Sequence, residues 1–289
     1  MRKAQYQLLM KLKNNTESEA TLFGSAIHKA LETWYCLPFE SRELTDKQAK
    51  VADTLINTSL SQEPQEGALE AIRQFVIKAE PLLWLGDGDK RSVHNGIKIL
   101  KAYFKHYLND GLEVMHDSKG PIVEREVEFK LYEDETLVIT YHGTIDAVLR
   151  NTISGQIIPV DHKTTSSLGT QFYNRIKPNH QYTGYVMGAQ QVLGLNTEDF
   201  LVNGIQVAKT KAEFARQLTT RTEEDKAEMI QATLAGARQL INAIESDNFP
   251  MSAPNACTNY GSCQYLAVCS SPKKLRNTII SSQFGVQNG

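Results

Sequence analysis

Two segments rich in β-branched and aromatic residues, Thr140–Leu149 and Gln156–Thr165, are separated only by Arg150 and the turn composition Asn151-Thr-Ile-Ser-Gly155. Strand-forming runs joined in this way predict an antiparallel hairpin. A turn centred between Ile153 and Ser154 sets Asp146 opposite Asp161, and Lys163, two residues on, falls on the same face as Asp161. Directly opposed residues have Cβ atoms about 5 Å apart, and like charges at that separation destabilise the pair. A cation removes the penalty, and carboxylate oxygens suit magnesium or manganese. The hairpin therefore predicts a metal-dependent site.

The chain has 289 residues, of which 41% are hydrophobic and 22% charged, the composition of an ordinary globular protein able to bury one large core. No apolar run reaches the length of a membrane-spanning helix, so no membrane partner is expected. The N-terminus, Met1-Arg-Lys-Ala-Gln-Tyr6, lacks the apolar stretch and cleavage motif of a signal peptide, and a cytoplasmic location is expected. A net charge of −2 exerts no overall pull on nucleic acid. Local basic groups do occur, at Arg175 with Lys177, at Lys209, Lys211 and Arg216, and at Lys273, Lys274 and Arg276. Each reads first as a solvated face.

Along the chain, residues 1–120 are predicted to be mainly helical. Phe23, Ile27, Ala30, Leu31 and Trp34 form a stripe at helical spacing after a cap at Ser18 or Thr21. Ala68–Ala79 and Val93–Leu108 read as further helices, with Asp87-Gly-Asp89 in a loop between them. Residues 121–210 then carry the expected catalytic core. Ile122–Leu131 alternates apolar and charged as a strand, with Glu124, Glu126 and Glu128 on a face expected to be solvated. After the hairpin, a helix is expected from Gln181 to Leu193, stopped by Gly194, followed by a strand at Phe200–Ala208. Residues 211–289 supply an amphipathic helix at Glu223–Glu245, a cysteine-bearing loop and a tail, Ser281–Gly289, expected to be disordered.

Read together, Gly24-Ser-Ala-Ile-His28, Gly143-Thr-Ile-Asp146, Asp161-His-Lys163 and Gln181-Tyr-Thr-Gly-Tyr185 resemble, in that order, the PD-(D/E)xK nuclease superfamily, and specifically its RecB/AddB-like exonuclease branch. The resemblance implies an α/β, restriction-endonuclease-like core, a mixed central sheet flanked by helices, in one domain spanning 1–289. It implies that His28, Asp146, Asp161 and the backbone carbonyl of His162 hold Mg²⁺ or Mn²⁺, which would polarise the scissile phosphate and activate a water. Lys163 would position that water and stabilise developing charge. Gln181 and Tyr185 lie four apart on one helix face and would orient the water or the DNA backbone. Glu32, one turn beyond His28, would be an outer partner. Each residue taken singly has a plainer reading: His28 a packed histidine, Asp146 a turn residue, Asp161 with Lys163 a surface ion pair, and Tyr185 a core aromatic. The side chains of His142 and His162 are expected to be structural.

The cysteines fit the same branch. Cys257, Cys263 and Cys269 are each separated by five residues, too widely for most zinc knuckles. They resemble the C-terminal cluster that joins one N-terminal cysteine to bind a 4Fe–4S group, for which four thiolates are usual. The branch places its first cysteine before the Gly-x-x-x-His motif, where this chain has none. Cys36 follows His28 by eight residues, about 12 Å along a helix. Either Cys36 substitutes as the fourth ligand, or the ligand lies upstream of a shortened chain.

The expected activity is metal-dependent hydrolysis of DNA, exonucleolytic by resemblance, in recombination, repair or replication in a bacterium or a phage-infected host. A structure-specific endonuclease and a non-catalytic DNA-binding subunit are the alternatives. No Gly-x-x-x-x-Gly-Lys-Ser/Thr phosphate loop is present, so unwinding would require a separate helicase or recombination partner.

Overall fold

In the computed structural model, residues 1–14, 17–55, 65–251, 257 and 262–286 are described. They form two compact units, residues 18–229 and residues 1–17 with 230–289.

The larger unit is built on a mixed sheet. Its strands are β1 (Leu112–Val114), β2 (Val123–Glu133), β3 (Val138–Asn151), β4 (Ile157–Thr165), β5 (Asp199–Gln206) and β6 (Phe214–Thr220). The order is β1-β3-β4-β5-β6, and β2 pairs along the other part of the long β3. Only β4 and β5 run parallel, joined by a crossover; the other pairings are antiparallel. The hairpin register is the predicted one: Ala147 faces Val160 and Val148 faces Pro159, so Asp146 and Asp161 are the next opposed pair.

Helices cover both faces. On one lie α1 (Glu19–Cys36), α2 (Asp46–Thr54), α3 (Ala68–Lys78) and α4 (Val93–Tyr107), packed through Phe23, Ile27, Leu31, Trp34, Phe75 and Phe104 against Ala147, Leu149, Ile158 and Val160. Ser18 is the cap of α1, accepting from the Thr21 amide at 3.2 Å. On the opposite face α6 (His180–Gln191), preceded by the short α5 (Thr170–Asn174), packs through Tyr182, Tyr185 and Val186 against Val127, Ile145, Phe200 and Val202. Gly194 takes φ +66° just past α6, the left-handed stop that a glycine supplies without steric cost.

The sheet extends past both predicted boundaries. β1 lies within the stretch expected to be helical, and β6 lies after residue 210. A three-residue strand is too short to show a period, and the half-exposed β6 lacks a strong apolar alternation.

In the other unit, Leu12–Asn14 pairs antiparallel with Phe284–Val286. The tail is therefore ordered as far as 286: Arg276–Gln283 is helical and the strand follows, held because Phe284 stacks on Tyr265 in a small core with Tyr6, Leu12 and Val268. Residues 287–289 lie outside the described residues. The helix Glu223–Glu245 has the predicted bounds.

Candidate active site

The β3–β4 ladder ends at Ala147–Val160, and the site forms where the strands part. The His162 amide, which has no ladder partner there, donates to Asp146 Oδ2 at 2.6 Å. At Asp146 the alternation of β3 breaks once. Ile145 packs on the α6 side of the sheet, whereas Ala147, two residues on, packs on the α1 side. That break lets a helix on the α1 face reach the acidic pair: His28 Nδ1 approaches Asp146 Oδ2 at 3.4 Å. Gly24 permits the approach, because a Cβ there would come within 3.1 Å of the Thr164 hydroxyl on β4.

Both carboxylates are nearly inaccessible, at 8% exposure for Asp146 and 2% for Asp161. Burial raises the pKa of each, and the neighbouring Asp161 charge raises Asp146 further. Lys163 Nζ donates to Asp161 Oδ1 at 2.8 Å and opposes the rise. Asp161 Oδ2 is buried with no hydrogen-bond partner. A buried, unpaired carboxylate oxygen beside a second carboxylate is costly unless a cation completes the group. His28 is lowered below its ordinary pKa, chiefly by burial, and so offers a neutral ring nitrogen. Two hard oxygen donors and one imidazole fit a divalent cation such as Mg²⁺ or Mn²⁺.

His162 turns its side chain to the other face, where it stacks on Tyr35 with centroids 5.2 Å apart and its Nδ1 lies 2.7 Å from Asn203 Nδ2. Asn203 Nδ2 also donates to Tyr103 at 2.6 Å. The imidazole is thus embedded in the packing, edge-on to the His28 ring with centroids 6.1 Å apart, while the backbone of His162 meets His28 and Asp146.

Gln181 Nε2 donates to Tyr185 Oη at 2.8 Å across one turn of α6. Burial pushes the Tyr185 phenol up to about 12, and the charges of Asp161, Asp146 and Glu124 act in the same direction. Gly143 makes room for this pair: a Cβ there would lie 2.9 Å from the Tyr185 ring and 3.1 Å from Tyr141. Beside Lys163 opens a cavity of about 490 Å³ lined by Thr164, Thr165, Ser166, Ser167, Arg175 and Tyr182.

Two acidic residues take positions the sequence did not indicate. Glu124 is exposed, as predicted with Glu126 and Glu128, yet it lies beside the site. Ligand atoms of His28, Glu124 and Asp146 are all within 4.8 Å of one another. Burial, then the Asp146 charge, pushes the Glu124 carboxyl up to about 7. Period-two alternation concealed it, because the backbone at Glu124 is locally left-handed, φ +45°. Glu32 lines the same recess as His28, but its carboxylate is bonded to Lys29 at 2.8 and 2.9 Å.

The basic groups are engaged mainly in the protein's own contacts. Lys177 pairs with Asp225, Lys211 with Glu213, and the largely buried Arg216 with Asp110 over the Tyr107 ring. Cys257, Cys263 and Cys269 are half-buried in the smaller unit and form no disulfide; the Cys263 amide donates to the Cys257 carbonyl at 2.8 Å, but among the described residues the three sulfurs do not gather into a metal-holding group. Cys36 is an exposed free thiol ending α1.

Residues 1–270 match the model of the PD-(D/E)XK nuclease superfamily, and the chain belongs to that superfamily. Membership makes it a nuclease, a hydrolase of a class that uses divalent cations such as Mg²⁺ or Mn²⁺. The chain also matches solved structures. One of them, described as "Crystal structure of SSO0001", is 14% identical, covers 70% of this chain and 87% of its own, and superposes with a TM-score of 0.31. No curated protein matches the chain.

Proposed function

We propose that the protein is a deoxyribonuclease that degrades DNA from an end. The observation that carries the hydrolytic site is the opposed Asp146–Asp161 pair, with Asp161 Oδ2 buried and unpartnered, faced by a neutral His28 and by Lys163. Asp146, Asp161, His28 and the His162 carbonyl would hold the cation, which when bound supplies Lewis-acid polarisation of the scissile phosphate. Lys163, anchored on Asp161, orients the attacking water and offsets charge that builds on the phosphate oxygens. Gln181 holds the Tyr185 hydroxyl on the same side of the sheet, where the pair orients the substrate backbone. The cavity beside Lys163 offers hydroxyls and Arg175 to phosphates, which suits a nucleic-acid strand.

The action on ends follows the resemblance to the RecB/AddB-like branch. The experiment is digestion, with Mg²⁺ or Mn²⁺, of linear DNA labelled at its 5′ or 3′ terminus beside closed circular single-stranded DNA. Loss of the linear substrates with survival of the circle is expected. Cleavage of the circle would replace this reading with an endonuclease, and no cleavage of any substrate would favour a non-catalytic DNA-binding subunit.

For the cysteines, the even spacing of Cys257, Cys263 and Cys269 and their place in one small unit support a reading in which they give three of the four thiolates of a 4Fe–4S group, the bound group drawing together sulfurs that do not by themselves form a metal-holding cluster among the described residues. Iron and acid-labile sulfide in anaerobically purified protein test it, and an iron-free, fully folded protein would refute it.

A further inference from the structure

Glu124 stands outside every motif that marks the superfamily in this chain, yet the fold brings it to the centre of the site. Val123 faces Ala147 and Arg125 faces Ile145 across β2 and β3, so Glu124 is directly opposite Asp146. The strand does not pass this point regularly. Ile122 packs on the α6 side and Val123 on the α1 side, but Val127 has returned to the α6 side. One alternation is therefore lost between Val123 and Val127. Within the unit 18–229, Glu124 is the only non-glycine residue with positive φ among those described. Such a conformation is disfavoured for a residue bearing a side chain.

The result is a carboxylate whose oxygen lies within 4.8 Å of a His28 ring nitrogen and of an Asp146 oxygen. Among the described residues no basic side chain forms an ion pair with it; the adjacent Lys29 is bonded to Glu32 instead. Two carboxylates opposed without a cation repel one another, and here there are three, since Asp161 follows Asp146 across the next ladder. Asp161 lies outside that 4.8 Å group, but its charge acts on both His28 and Asp146, and its buried, partnerless Oδ2 is an independent sign that a positively charged ligand belongs beside them.

We infer that Glu124 is a further ligand of the divalent cation, giving the site a set of four side chains: His28, Glu124, Asp146 and Asp161. The inference rests on the nuclease reading of the site and adds a donor from β2, reached by the break in that strand. Such a set delivers three carboxylates and one imidazole, and it favours a cation that accepts more oxygen than nitrogen.

The test is Mn²⁺ binding by isothermal titration calorimetry on the full chain without DNA, comparing the wild type with Glu124→Gln, Glu126→Gln and Asp146→Asn. Far-UV circular dichroism and thermal unfolding in EDTA establish that each variant is folded, and Glu124→Asp serves as a second, milder probe. Glu124→Gln is expected to weaken Mn²⁺ about 10- to 100-fold, the range seen even when only a ligand's outer partner is lost. Glu126→Gln, exposed on the same strand but outside the His28–Glu124–Asp146 group, is expected to bind as the wild type does, and Asp146→Asn is expected to lose binding. Wild-type affinity in a folded Glu124→Gln, with Asp146→Asn impaired, would overturn the role of Glu124 and leave the nuclease site standing. An absence of Mn²⁺ binding by the wild type would overturn both.

Discussion

Replacing Asp146 by asparagine should make the cation-free protein more stable while abolishing its activity. The two buried carboxylates are opposed across the end of the β3–β4 ladder. Two unit charges about 5 Å apart at an effective dielectric constant of ~20 repel by about 3 kcal/mol. Lys163 and the His162 amide offset part of this repulsion. The amide oxygen of asparagine can still accept from His162, so a net gain of roughly 1–2 kcal/mol remains, or about 2–8 °C in Tm. The sign with pH follows from the raised carboxyl pKa values. A raised carboxyl destabilises the fold once the unfolded chain has ionised, so the wild type loses stability as pH rises from the ordinary aspartate range toward the folded value. The advantage of Asp146→Asn should therefore be full at pH 8 and shrink toward pH 4.5. Thermal unfolding in EDTA across this range measures it. Added Mn²⁺ should reverse the order by stabilising only the wild type. An apo variant less stable than the wild type at pH 8, or a pH-independent difference, would refute the electrostatic account.

Lys163→Ala should lower cleavage of linear DNA at least about 10²-fold, in line with the loss of one charge-stabilising group, while Mn²⁺ affinity by calorimetry stays within a few-fold. Tyr185→Phe removes the hydroxyl that Gln181 holds; turnover should fall with melting temperature nearly unchanged, checked by steady-state kinetics beside thermal unfolding. Gly143→Ala places a methyl 2.9 Å from the Tyr185 ring, and urea unfolding should show a loss of about 1–3 kcal/mol from overpacking.

Much of the site was legible before folding, for a simple reason. The side-chain period of a strand is two, and a five-residue turn composition centres the hairpin. Asp146, Asp161 and Lys163 could therefore be placed in register from order alone, and the observed pairing of Ala147 with Val160 is the predicted one. The four-residue spacing from Gly24 to His28 and from Gln181 to Tyr185 likewise reports helix faces, and Gln181 and Tyr185 are hydrogen-bonded as that spacing requires. Strands without a readable period, Leu112–Val114 and Phe214–Thr220, were not legible, nor was the pairing that orders the chain near residue 286.

Sequence order thus determined the hairpin register through periodicity and local turn chemistry, and the resemblance carried by its four motifs implied the fold class. Tertiary structure decided what those residues experience. Packing on both faces of the sheet buries Asp146 and Asp161, holds His28 neutral and diverts the His162 ring to Tyr35 and Asn203, and the irregular strand sets the still exposed Glu124 beside Asp146. Burial and local backbone irregularity arise from contacts between distant segments, and no alternation along one strand contains them.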